Sequence, residues 1–183
     1  MTFLLILLVV VVLAVVALVL LYNNLVKLRN TIEGAWAQID VQLKRRSDLI
    51  PNLVETVKGY ATHEKETLDA VIRARNAASA ASGPADQAQA EGMVTAALRQ
   101  VFALSEAYPD LKANQSFLSL QEELAGTEGR ISYARQYYND TVLRYNTKIQ
   151  TFPAVVIANA MQFKEREYFE ADDASRGPVD VTF

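Results

Sequence analysis

The chain has 183 residues, of which 51% are hydrophobic and 21% charged, with a net charge of −3 and no cysteine. These values exclude a polytopic membrane protein, a disordered chain and a disulfide-stapled domain, and they remove thiolate catalysis and thiolate metal sites. The slight acidic excess gives no reason to expect nucleic acid as a partner.

The mean hydropathy is only +0.06, because the apolar residues are concentrated at one end. From Phe3 to Leu21, nineteen apolar residues follow one another without a charge, Ser, Gly or Pro. As a helix this run reaches roughly 28 Å, close to the ~30 Å hydrocarbon core of a bilayer. Only Met1 and Thr2 precede it, so it lacks the basic flank of a signal peptide, and it exceeds a usual signal-peptide core in length. The run is expected to stay as a single transmembrane anchor over 3–21, touching membrane lipid. It has no small-xxx-small pair and so offers no evident self-association face. Lys27 and Arg29 follow the run and nothing basic precedes it, which by the positive-inside rule puts the body in the cytoplasm.

The remainder, 22–170, reads as one helical-bundle domain. Leu25, Leu28, Ile32, Trp36, Ile39, Leu43 and Ile50 form one stripe, so anchor and first helix read as one helix to Ile50, with a turn at Pro51. A second helix carries Leu53, Val57, Tyr60, Leu68, Val71 and Ala78 and ends in the Ser79–Asp86 loop. A third is expected over Gln87–Tyr108. The fourth keeps a three-four rhythm from Phe117 through Leu124, Ile131, Tyr138, Val142, Tyr145 and Ile149 to Phe152. Gln121, Glu128 and Arg135 fall in the same seam, and the plain account is that the two charges snorkel or find partners across the bundle. The fourth helix outruns the others, so either Gly126 and Gly129 break it or its end overhangs. The expected fold is all-α, an N-terminal transmembrane helix followed by an antiparallel bundle of about four long, coiled-coil-like helices.

Catalytic patterns are sought and not found. His63 is the only histidine and Thr67 stands where a zinc-protease helix needs a second, so His63 reads as an ordinary helical histidine. Glu122-Glu123 sit side by side on a helix and diverge, while Asp172-Asp173 fall in the tail. No phosphate loop or nucleophile elbow occurs, so neither enzymatic activity nor a cofactor is expected.

Lys44-Arg45-Arg46 is the only basic cluster, either a solvated helix end or a docking patch for an acidic partner. The apolar stretch with Phe152, Val155, Val156, Ile157, Met161 and Phe163 lies where the bundle returns toward the anchor, as a membrane-proximal or assembly surface. The acidic tail, 171–183, ends with Val179, Val181 and Phe183 in strand-like alternation. It is either frayed or adds to a neighbouring subunit.

The stretch Tyr22–Asn30, then Ala35-Trp-Ala-Gln-Ile-Asp-Val-Gln-Leu-Lys-Arg-Arg-Ser-Asp-Leu-Ile-Pro-Asn-Leu-Val54, resembles the LemA family. Glu55–Glu64, Ala74-Arg75, Leu111–Phe117, Leu120–Leu124, Tyr138-Asn139, Tyr145-Asn146 and Tyr168–Ala171 extend the likeness over nearly the whole chain. The resemblance implies a bacterial protein of the cell (inner) membrane without recognised catalytic activity. Relatives include a protein needed for magnetosome membrane formation, and members are often encoded beside TPM-domain proteins or membrane metalloproteases. Two readings follow. The first is a non-enzymatic, homo-oligomeric scaffold that organises membrane, and the second is an adaptor for a membrane metalloprotease, TPM-domain protein or transporter. A carboxylate hydrolase using a divalent metal is a distant third.

Overall fold

A computed structural model describes residues 1–61 and 63–170. It contains α1 (Thr2–Lys58), α2 (Lys65–Ala80), α3 (Pro84–Ser105), α4 (Pro109–Lys112), α5 (Gln115–Gln150) and α6 (Ala154–Ala160), with no strand among the described residues. The chain divides into two compact units: residues 1–37 with 137–167, and residues 38–136 with the described residues from Tyr168 on.

The second unit holds the bundle core. Ile50, Leu53 and Val57 of α1 pack with Leu68 and Val71 of α2, Val94, Leu98 and Val101 of α3, Leu111 of α4, and Phe117 and Leu124 of α5. Heptad-like apolar spacing brings one stripe from each helix into that core. The α2–α3 connection is shorter than the Ser79–Asp86 loop expected: Gly83, at φ 88°, makes the turn and Pro84 opens α3 with its fixed φ. Asn114 caps α5, its Oδ1 accepting from the Phe117 N–H at 3.0 Å, while its Nδ2 donates to the Tyr60 hydroxyl at 2.9 Å.

Pro51 does not end the first helix, as its residue type predicts; α1 runs through it to Lys58. A proline inside a helix removes the bond to the carbonyl four residues back, here that of Ser47. Arg75 of α2 supplies the missing donor, its Nε lying 2.9 Å from the Ser47 oxygen. The helix therefore ends at Lys58 rather than at Ile50, and exposed His63 lies between α1 and α2 rather than on a helix.

In the first unit, no residue from Met1 to Leu20 is covered by the rest of the described chain. The same helix then becomes a packed one, with Leu25, Ile32 and Ala35 buried. The same unit also buries Tyr138, Val142, Tyr145 and Ile149 of α5 and Ala154, Ile157 and Ala158 of α6. Trp36 meets Tyr138 edge-on, ring centroids 5.6 Å apart. α5 is unbroken at Gly126 and Gly129, and its extra length is the 137–150 stretch that belongs to this unit.

Candidate functional site

Two places in the fold gather the residues singled out by sequence. The first lies in the second unit. Arg46 occupies a core slot of the Ile39–Leu43–Ile50 stripe and is only 2% exposed. Its guanidinium pairs with Glu91 of α3 and Glu128 of α5 and donates to Thr95 Oγ1 at 3.1 Å. Gln87 Nε2 holds the other Glu91 carboxylate oxygen at 3.0 Å. Burial pulls the Arg46 pKa below the ordinary arginine value, Glu128 pulls it up, and Arg135 adds a further downward push. A cation taken out of water in this way needs partners, and two carboxylates supply them.

The basic triplet is therefore divided among three environments. Arg46 ties three helices together, Arg45 makes a half-exposed pair with Glu123 at 3.1 Å, and Lys44 is exposed. Lys44 lines an open polar groove of about 410 Å³ with Asp40, Asp48 and Arg75. A solvated helix end does not describe the cluster, because α1 continues for three more turns. Glu128 finds its partner across the bundle, as the seam allows, and Arg135 stacks over the Phe169 ring at 4.9 Å. Among the described residues no three His, Asp or Glu side chains gather in a metal-binding arrangement.

The second place lies in the first unit, where the apolar run ends. Leu18, Val19 and Tyr22 form one wall of an apolar groove of about 450 Å³, and Val156 and Ala160 of α6 with Met161 just after it form the other. Phe152, Val156 and Met161 are exposed, Val155 and Phe163 half-buried, and Ile157 buried. The Phe163 ring meets Tyr22 edge-on at 5.9 Å, and the Arg29 guanidinium lies 5.8 Å from its centroid. Val179, Val181 and Phe183 lie outside the described residues.

From Phe163 to Glu170 the chain is neither helix nor strand, and no sheet occurs among the described residues. Side chains of α5 take the place of a neighbouring strand. Asn146 accepts from the Arg166 N–H and donates to the Arg166 carbonyl, both at 2.9 Å. Tyr145 donates to the Lys164 carbonyl at 3.0 Å and Tyr138 to the Glu167 carbonyl at 2.9 Å. Arg166 pairs with Glu33 of α1 at 2.6 Å. Burial raises the pKa of both tyrosines, with Arg166 pulling the other way. In the sequence Tyr138 and Tyr145 show as apolar seam positions and, with Arg75 and Asn146, as part of the family likeness, which gives none of them a role; Glu91 and Thr95 carry no signal of their own.

The described chain is thus a helical protein with an apolar N-terminal helix that is a candidate membrane anchor, followed by packed helices. Residues 35–183 match the LemA family, and the chain belongs to it. It is 27% identical to Protein LemA of Metamycoplasma hominis, over 87% of this chain and 74% of that one. It is 25% identical to Magnetosome protein MamQ 2 of Paramagnetospirillum magneticum, over 88% of this chain and 69% of that one. Magnetosome protein MamQ of Magnetospirillum gryphiswaldense is 24% identical over the same shares.

Proposed function

We propose that the protein is a non-enzymatic scaffold, anchored in the cell membrane by Phe3–Leu21, that self-assembles and organises membrane or membrane proteins. The observation that carries this reading is the direct passage of the exposed apolar run into a packed helix. Leu20 is 64% exposed and Leu25 fully buried, with no loop between them. A loosely tethered domain has no need of such continuity, whereas a scaffold that holds its first packed helices in a fixed phase to the anchor does. The site chemistry agrees, since the buried Arg46 and Glu91, with Glu128, are spent on tying helices together.

The absence of native cysteine makes the test direct. Single cysteines placed along the exposed side of α5, at Tyr133 and Leu143, should yield chain-to-chain crosslinks in intact cells at native expression levels. Crosslinks only to other proteins would support an adaptor instead, and none at all would sink self-assembly. A cysteine at exposed Ser82 should label only after permeabilisation if the body is cytoplasmic; labelling from outside reverses the orientation.

A further inference from the structure

The anchor itself sets the depth of the apolar groove in the first unit. Leu18 and Val19 belong to the last turns of the apolar run, and Tyr22 is the residue just beyond it. α6 is packed at that level, so if Phe3–Leu21 spans the bilayer, α6 lies roughly 5 Å inside the hydrocarbon boundary. That is the depth at which amphipathic helices rest in an interface. Its composition suits the position: Ala154, Ile157 and Ala158 are buried against protein, while Phe152, Val156 and Met161 are 83%, 59% and 61% exposed. Water would penalise this arrangement and acyl chains would not.

Moving away from the membrane centre, the groove gives way to the Tyr22–Phe163 aromatic pair and then to the Arg29 guanidinium over Phe163. Bilayers present their own chemistry in the same order: chains, an interfacial belt suited to aromatic rings, then phosphates.

We propose that this groove binds an acyl chain of a phospholipid from the leaflet through which the anchor leaves the membrane, with Arg29 facing the headgroup phosphate. The occupant follows from continuity. Leu18 and Val19 are 51% and 52% exposed, like Val11 and Val12 deeper in the run, so one medium covers them all. The groove walls are wholly apolar, which leaves no partner for ordered water. The inference rests on the reading of Phe3–Leu21 as the span, and its test separates the two.

The full-length protein is reconstituted in phosphatidylcholine–phosphatidylglycerol vesicles containing a phosphatidylcholine with a photoactivatable acyl chain. After illumination and trypsin digestion, label is expected on the peptide 149–164 as well as on the anchor peptide 1–27. Label on the anchor peptide alone overturns the groove and leaves the span intact; label on neither overturns both. Ala160→Phe, which fills the groove, should reduce label on 149–164 roughly tenfold (about 1.4 kcal/mol) without changing label on 1–27. Unchanged labelling there would mean surface contact only and overturn the proposal. So would a chain-to-chain disulfide through Val156→Cys in the absence of lipid label, since the groove would then hold a second copy.

Discussion

Arg75 reaches back from α2 to the one carbonyl that Pro51 leaves without a helical donor. Removing the guanidinium should cost about 1–3 kcal/mol, the penalty of a carbonyl that loses a charged donor. The same change should cost much less in a Pro51→Ala background, where residue 51 regains its N–H and can serve Ser47 itself. Denaturant unfolding of the four forms of this cycle measures the coupling, and simple additivity would show that Ser47 is not the link. Arg46 makes a second, separable prediction. Arg46→Met alone strands Glu91 in the core and should cost about 3–5 kcal/mol, whereas Arg46→Met with Glu91→Leu should recover most of it. Glu128 is left without Arg46 in both, but its side chain is 48% exposed and water can serve it. The position of Arg46 was legible in principle. It falls between Leu43 and Ile50 at core spacing, but a run of three basic residues reads first as surface, and the partner Glu91 lies 45 residues away with no local mark.

At the scale of elements, periodicity found the long helices, missed the short α4 and α6, and misplaced the boundaries at Pro51 and at the α2–α3 loop. Pro51 and the Ser79–Asp86 stretch carry strong local signals, and tertiary donors or a single glycine overrode both. The path of the segment after Phe163 was beyond sequence reasoning, because it is fixed by hydrogen bonds with side chains of α5 rather than by its own pattern. Its attachment should depend on alkaline pH. Tyr138 and Tyr145 must keep their protons to donate to Glu167 and Lys164. Their pKa values are raised above the unfolded tyrosine value of about 10, so the stability they contribute is complete below that pH. It is lost as pH rises through the folded values. Protease cleavage between 160 and 168 should therefore accelerate above about pH 10, in step with phenolate absorbance. In Tyr138→Phe/Tyr145→Phe the same region should be cut readily at neutral pH, with little further change on titration. Cleavage independent of pH in the native chain would show that these hydroxyls do not hold the segment.

For the molecule as a whole, composition already separated an apolar anchor from helices of ordinary hydropathy, and the family match places residues 35–183 in a recognised group. What composition could not convey is that no joint separates anchor from packed helix, since one helix covers Thr2–Lys58. An unbroken helix fixes rotational phase as well as distance. Each residue added between Tyr22 and Leu25 would turn the anchor by about 100° against the buried stripe and carry Leu18 and Val19 away from α6. Adding seven would return nearly the same face, merely further out. The apolar run of this protein is thus keyed in phase to the helix that it continues into. Replacing it with another hydrophobic segment of equal length should keep the chain in the membrane, but only a replacement in the right phase should still close the α6 groove.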